Sequence, residues 1–353
     1  MIHLRQLSTV AGAHTYGQAR LADELHAALE PLADARSVAQ LVRFVYQHSA
    51  IAERHLEVPL ERAQERGDWV RLVNEATLSL CERSLEQLFA ADGALPASEC
   101  DGLVAVSSSH VGFPGLTRLV QERLGFPLDA LSFDLGALGC AGPTQGLHLA
   151  TTLVASGACR NVCLVCVDAM GTHGAARRHV RAPSLAQVVA HCLASDGAAA
   201  LVVGQDPGPK PLLSFRGATL RNQLWPGSLD LNDFTADGDN QPFMSVGKEI
   251  RNRIVVELEP IVDAEPLRTA PILFHPGGAA LMKLISDRWP ALADSVAISC
   301  AVLARHGNLG SSSLLWVLAE AIARGAPLTP RLRLAALGPG IVSTLLTLDG
   351  VER

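Results

Sequence analysis

Cys140 lies between glycines in FDLGALGCAGPTQGLHLA, residues 133–150, where a helical pattern begins. Small neighbours leave room for a substrate beside the sulfur, and the positive end of a helix dipole stabilises a thiolate. A buried structural cysteine needs neither feature, although a glycine-rich turn also accommodates a structural cysteine. Cys140 is therefore a candidate nucleophile.

Two other short stretches supply complementary chemical groups. His275, in FHPGG, follows an apolar strand pattern and precedes two glycines, so its ring is expected at a strand end. Asn308, in HGNLGSSS, lies in a loop of small residues just before a helical pattern. A cysteine that carries an acyl group, a histidine that donates a proton or hydrogen bond, and an amide that stabilises an oxyanion suffice for acyl transfer with carbon–carbon bond formation. Taken singly, each also fits an ordinary polar turn or strand end.

Composition restricts the class of protein. The chain has 353 residues, is 48% hydrophobic and carries a formal charge of −6. Its isoelectric point of about 6.1 argues against a nucleic-acid binder, which normally carries a basic patch. With no apolar run long enough for a membrane span and no signal-peptide pattern at the start, we expect no membrane association and a cytoplasmic location.

The eight cysteines are scattered, which is typical of free thiols in a reducing compartment. The pair in CLVC, residues 163–166, lies inside the apolar run NVCLVCVDAM. Such a run predicts a buried strand, so we interpret both thiols as packing residues and expect no metal site.

The order of elements predicts the fold class. Residues 1–100 are mostly helical in pattern, and both halves of the chain then alternate helices with continuously apolar strands. Strands of that kind are buried on both faces, which predicts an α/β protein with sheets between helix layers. Residues 205–245 are predicted to form a linker with long loops, and SVAISCAVL, residues 295–303, a strand.

Taken together, GCAGPTQGL, FHPGG and GNLGSSS resemble the chalcone synthase-like, or type III, polyketide synthases, which are thiolase-fold condensing enzymes. Further stretches match that family in the same order, namely IAERHL, VSSSHVGFPGL, LASDGAAALVVGQDP and LGPGIVSTLLTL. The resemblance implies two pseudo-duplicated halves in a five-layer αβαβα sandwich. Residues 1–206 would carry the nucleophilic cysteine, and residues 207–353 the histidine and asparagine.

The resemblance also implies a reaction. Cys140 would carry an acyl chain as a thioester, and His275 would hold the free sulfur as a thiolate by pairing with it as an imidazolium. His275 and Asn308 would stabilise the enolate formed when a malonyl-type thioester loses CO2, and the enolate would attack the Cys140 thioester. Repetition and cyclisation would give a pyrone or a phenolic ring. The substrates would be thioesters of coenzyme A or an acyl carrier protein, with no permanently bound cofactor.

Two alternatives stay open on the same fold. One is a non-decarboxylating acyltransferase or a chain-joining, carrier-dependent ketosynthase that forms α-pyrones. The other is an inactive scaffold subunit.

The sequence departs from the family pattern around the expected cavity. Ala194 stands where plant-type members have a gating phenylalanine, whereas the second such phenylalanine is retained as Phe243. Loss of one ring would widen the cavity, unless neighbouring side chains fill the space. The resemblance also assigns Ser108, Gly338 and Pro339 to the cavity.

The family's early basic motif is weakened, because Glu53 occupies a position that is often basic and only Arg54 clearly remains for a coenzyme A phosphate. Either other arginines serve, or a carrier protein delivers one substrate to the basic insert that follows Met170. The candidate arginines are Arg62, Arg66 and Arg71 for the phosphate and Arg177, Arg178 and Arg181 for the carrier. Phe113 matches a family residue that crosses into the partner subunit's cavity, which implies a homodimer.

Overall fold

The computed structural model describes residues 1–29, 35–65, 67–175, 185–229, 231–236, 242–246, 249–263 and 271–352, and for 26, 28, 29, 35–38, 232–236 and 242–246 the backbone alone. Arg66, Arg177, Arg178, Arg181 and the side chain of Phe243 therefore lie outside the described part of the chain.

The strands fall into two large sheets and two short ribbons. They are β1 Ile2–Ala11, β2 His14–Gly17, β3 Glu53–Leu56, β4 Gly102–Ser107, β5 Leu131–Gly136, β6 Asn161–Ala169, β7 Asp196–Gly204, β8 Leu213–Phe215, β9 Gly217–Leu224, β10 Asn232–Ala236, β11 Pro242–Val246, β12 Ile272–Phe274, β13 Arg331–Gly338 and β14 Val342–Asp349. The first sheet has the order β5-β4-β6-β7-β1-β8 and the second β12-β13-β14-β9, while β2 pairs with β3 and β10 with β11.

The helices fill the connections between these strands. They are α1 Gln18–Leu29, α2 Ala35–Gln47, α3 Leu60–Ala63, α4 Trp69–Phe89, α5 Leu116–Arg123, α6 Gly142–Ala155, α7 Met170–Ala175, α8 Leu185–Leu193, α9 Glu249–Val262, α10 Ala279–Arg288, α11 Ala293–His306 and α12 Ser313–Ala323. No helix in the described ranges is both long and apolar enough to span a membrane.

The central strands are apolar throughout because both of their faces are buried. In β6, Leu164 and Cys166 face one apolar cluster, whereas Cys163 and Val165 face another. Successive side chains on a strand point to opposite faces. The two cysteines of CLVC are three positions apart, so they lie on opposite faces of β6 and cannot form a disulfide with each other. All eight cysteines are free, as the sequence predicts.

Apolar clusters define five layers. Helix α4 covers the outer face of the first sheet. Helices α6 and α12 pack between the two sheets, and α9, α10 and the first turn of α11 cover the outer face of the second sheet. The α/β thiolase-type layering expected from the sequence is therefore confirmed. The division between residues 206 and 207 stays a prediction, and the chain passes from the first sheet to the second between Phe215 and Gly217.

The mostly helical pattern of residues 1–100 is confirmed by α1, α2, α3 and α4, which follow the ten-residue strand β1. Two expectations about local structure are wrong. Residues 205–245 contain strands β8, β9, β10 and β11 rather than loops alone. The run SVAISCAVL lies within helix α11, where Val296, Ser299 and Val302 are buried. A short apolar run fits a buried helix as well as a buried strand, and helical spacing decides between them here.

Candidate active site

Cys140 lies in a single turn of 3-10 helix, Gly139–Ala141, immediately before α6. The turn needs glycine at 139, where φ is +49° and a Cβ atom would lie 2.5 Å from the Pro339 ring. The Gly139 N–H donates to the Ser108 hydroxyl at 2.9 Å, which ties the turn to the end of β4. The thiol is half-buried and free.

His275 follows β12 directly, as its sequence context predicts. Its backbone N–H donates to the Ala335 carbonyl at 2.8 Å, which continues the pairing of β12 with β13. The side chain is only 6% exposed, and neither ring nitrogen has a hydrogen-bond partner among the described residues. A buried polar group without a partner costs free energy, and at a functional site a ligand can supply the missing bond.

Asn308 lies in the loop between α11 and α12. Its backbone N–H donates to the Leu193 carbonyl, and its carbonyl accepts from the Ser195 N–H. The side-chain Oδ1 accepts from the Gly310 N–H at 3.0 Å and from the Ser313 hydroxyl at 3.3 Å. These two hydrogen bonds fix the orientation of the side-chain amide by holding its oxygen. The Nδ2 group is therefore the one that can donate a hydrogen bond to a substrate.

The structure brings these three side chains to one cavity of about 160 Å³. Ser108, Ala194 and Pro339 line the same cavity, as the sequence predicts. The apolar remainder comes from α8, α9, α10 and the β13–β14 region. A thiol, an imidazole and an amide donor thus meet at a cavity that is otherwise mostly apolar, which is the usual composition of a small-molecule site.

The other predicted cavity residues lie elsewhere. Gly338 packs behind the nucleophile, where a Cβ atom would lie 2.6 Å from the Ala141 Cβ, so its role is close packing and not lining. Phe113 is fully exposed and does not line the cavity of its own chain. The backbone of Phe243 lies in β11, which packs near α8.

Arg54 is not placed for a phosphate contact, contrary to expectation. It is only 7% exposed, its Nε donates to Gln18 at 2.9 Å, and its Nη1 donates to the carbonyls of His191 and Ala194. The guanidinium therefore binds the carboxyl end of α8, where a cation is favoured by the helix dipole. Arg62 and Arg71 both pair with Glu75 at the surface.

Asp168, at the end of β6, is a site residue that sequence reasoning missed. Its buried carboxylate accepts from the N–H groups of Ser108 at 2.7 Å, Ser109 at 3.0 Å and Ser311 at 2.7 Å. The carboxylate thereby joins the loop after β4, whose Ser108 holds the Cys140 turn, to the loop that carries Asn308. The signal in the sequence was an acidic residue ending an otherwise apolar strand.

Burial sets the charge states of the reacting pair. It raises the pKa of the Cys140 thiol to about 12, with a further upward contribution from the negative charge of Asp168. Burial lowers the pKa of His275 to about 3. These directions favour a neutral thiol and a neutral imidazole at pH 7, so the depressed thiol pKa implied by the resemblance is not found here.

Comparison with known proteins identifies the family. The sequence model described as chalcone and stilbene synthases, N-terminal domain, matches residues 13–207, more than half of the chain. The chain belongs to the chalcone and stilbene synthase family. It is accordingly a type III polyketide synthase, an enzyme of the acyltransferase type that condenses acyl thioesters.

Curated relatives match along nearly the whole chain. A 1,3,6,8-tetrahydroxynaphthalene synthase from Streptomyces peucetius subsp. caesius is 27% identical, with 95% of this chain and 89% of the relative covered. Type III polyketide synthase 21 from Oryza sativa subsp. japonica is 24% identical, with 96% and 88% covered.

Solved structures show the same fold. CsyB complexed with CoA-SH superposes with a TM-score of 0.81 at 18% identity, covering 99% of this chain and all of that chain. The C-terminal type III polyketide synthase domain of Steely1 from Dictyostelium superposes with a TM-score of 0.82 at 17% identity, covering 99% of both chains.

Asp168→Asn should lower kcat by roughly 10- to 100-fold, because the amide nitrogen presents N–H donors where the carboxylate oxygen accepts hydrogen bonds. Losing one hydrogen bond to a charged group costs about 1.5–3 kcal/mol. Steady-state kinetics on a malonyl and an acyl thioester measure the effect. Asp101→Asn is the matched control, because Asp101 accepts the N–H groups of Arg160 and Asn161 at the opposite end of β6. Equal losses of kcat in both variants would show that Asp168 has no special link to the site.

Alkylation of Cys140 by iodoacetamide should accelerate roughly tenfold per pH unit between pH 7 and 9, because the thiolate is the reactive form and burial raises the pKa of this thiol to about 12. Mass spectrometry of the modified peptide gives the rate at this position, with Cys140→Ser as the blank. A rate that is already high and constant from pH 6 upward would instead establish the imidazolium–thiolate pair.

Proposed function

We propose that this polyketide synthase carries its growing chain on Cys140 and extends it by decarboxylative condensation, with His275 and Asn308 as the two oxyanion donors. The observation that carries the proposal is the convergence of these groups on one cavity, with both His275 ring nitrogens unpartnered among the described residues and the Asn308 oxygen already held by protein. Two hydrogen-bond donors aimed at a cavity beside a thiol are what an acyl-transfer site requires.

Loading begins from the neutral pair. The Cys140 sulfur attacks the acyl carbonyl of a donor thioester, and His275 accepts the thiol proton as a general base. Collapse of the tetrahedral intermediate breaks the carbon–sulfur bond of the donor, and the departing thiolate takes the proton from His275. The products are an acyl-Cys140 thioester, a free donor thiol and a neutral imidazole.

Extension uses the same two donors on a second thioester. His275 and the Asn308 Nδ2 group donate to the thioester carbonyl of a malonyl-type unit. The bond to the carboxylate breaks, CO2 leaves, and its electron pair forms an enolate whose oxygen the donors stabilise. The enolate carbon then attacks the Cys140 thioester, forming the carbon–carbon bond, breaking the carbon–sulfur bond to Cys140 and releasing the sulfur as a thiolate. The extended chain is now a thioester of the extender's carrier thiol. The Cys140 thiolate attacks that thioester, takes the chain back and releases the carrier as a thiolate, which is protonated by solvent. Repeated extension and cyclisation would yield a pyrone or a phenolic ring.

The donors are proposed to be thioesters of coenzyme A or of an acyl carrier protein. The fold relative CsyB has been solved with CoA-SH, which favours coenzyme A as one donor. The buried position of Arg54 leaves the phosphate contacts to other cations, with Arg62 and Arg71 among the surface candidates. No cluster of ligands suited to a metal ion occurs within the described ranges.

We also propose a twofold dimer. Phe113 is fully exposed, and its loop lies beside β5, because the Thr117 hydroxyl and N–H both donate to Asp134 of that strand. β5 is the edge of the first sheet, and Leu131 on it is 44% exposed. An exposed edge with large apolar side chains is suited to a second copy. Light scattering should give about twice 37.3 kDa, and the mass of a single chain would refute the dimer.

The catalytic assignment predicts separable losses. His275→Ala and Asn308→Ala should each reduce CO2 release from a malonyl thioester by roughly 100- to 1,000-fold, because each removes one oxyanion donor. Cys140→Ala should retain CO2 release but form no acyl-enzyme. Intact-protein mass spectrometry and CO2 capture measure the two steps.

The matched control is His148→Ala, because His148 lies on α6 outside the cavity lining. This variant should retain both steps. Acyl loading of the wild-type chain without CO2 release from any extender would contradict decarboxylation and favour the chain-joining reaction.

A further inference from the structure

The cavity continues from the reacting groups into the space between α9 and α10. Ile250, Ile254 and Leu258 line it from α9, and Met282 and Ile285 line it from α10. The three α9 residues are four positions apart and so lie on one face of the helix. At 1.5 Å per residue, the lined face is about 12 Å long, which is longer than a single six-membered ring. We call this part of the cavity the α9–α10 channel.

The α9–α10 channel lies inside an apolar cluster of the described residues. Its five helical side chains belong to the same cluster as Trp289 and Leu292, which pack over the outer face of the second sheet. Protein cores are normally packed without cavities, and an apolar cavity that water does not fill is destabilising. A cavity of this kind is therefore suited to an apolar ligand that fills it.

Among the described lining residues, the polar side chains lie at the end that holds Cys140. Ser108, Cys140, His275 and Asn308 lie there, whereas the described channel residues are aliphatic apart from Phe274. A hydroxyl or a carboxylate placed deep in the channel would lose its hydrogen bonds to water without replacement. The lining thus selects against polar and charged substituents at the distal end of a substrate.

We propose that the α9–α10 channel binds the saturated hydrocarbon chain of the acyl group carried on Cys140, so that the starter is a medium-length aliphatic acyl thioester. This inference rests on the proposed function, because it requires the acyl group to be attached to Cys140. An elongated apolar lining favours a flexible hydrocarbon chain over a phenolic ring, whose hydroxyl would lose its hydrogen bonds to water there.

The test is acylation of Cys140 by saturated acyl-CoA thioesters from acetyl to dodecanoyl, together with benzoyl-CoA and 4-hydroxybenzoyl-CoA. Each methylene buried in the channel should raise kcat/KM by about fourfold until the channel is full. Ile254→Trp should cut loading of the longer chains at least tenfold more than it cuts acetyl loading, because the indole would occupy the channel beyond the reacting end.

Val256→Trp is the matched control, because Val256 lies on the same helix but is 66% exposed. The Val256→Trp variant should show the same dependence of loading on chain length as the wild type. Ile285→Phe, on the opposite wall, replaces Ile254→Trp if that variant loses its cooperative thermal unfolding transition.

Two failures are distinguishable. If no thioester acylates Cys140, the proposed function itself is wrong. If acylation occurs but does not depend on chain length, favours 4-hydroxybenzoyl-CoA, or responds equally to Ile254→Trp and Val256→Trp, the α9–α10 channel does not bind the acyl chain and only this inference is overturned.

Discussion

The geometry of the site depends on the buried carboxylate of Asp168, which accepts hydrogen bonds from two separate loops at once. One of these loops holds the Cys140 turn through Ser108, and the other carries Asn308. Each loop alone is a short, glycine- and serine-rich connection with little apolar surface to fix it. A charged acceptor in a low-dielectric interior makes strong bonds to backbone N–H groups, so one side chain gives both loops a common reference point.

The burial that produces the apolar channel also governs the reacting pair. Burial within the protein raises the pKa of Cys140 and lowers that of His275. In the proposed reaction, a neutral imidazole accepts the thiol proton during loading and donates its N–H during extension, so one residue would serve both steps without a change in resting charge. The negative charge of Asp168 raises the pKa of the Cys140 thiol further, because it would repel a thiolate.

Short-range sequence patterns located Cys140, His275 and Asn308, because each lies at an element boundary marked by glycine. They did not reveal Asp168 or Ser313, whose roles depend on contacts between loops distant in the chain. Arg54 was misassigned because a basic residue in a motif says nothing about burial, and here its partners come from α1 and α8. The run in helix α11 was mistaken for a strand because the periodicity of a short apolar run is ambiguous until its packing partners are known. The channel likewise needed the relative placement of two helices.

Strand β8 pairs with the first strand of the chain, although it follows the point where the halves were expected to divide. The second half of the polypeptide thus contributes an edge to the sheet of the first. Hybrid enzymes assembled by recombining gene segments at residue 206 would give β1 a foreign neighbour, whereas a junction between Phe215 and Gly217 would keep the pairing of β1 with β8 and that of β9 with β14.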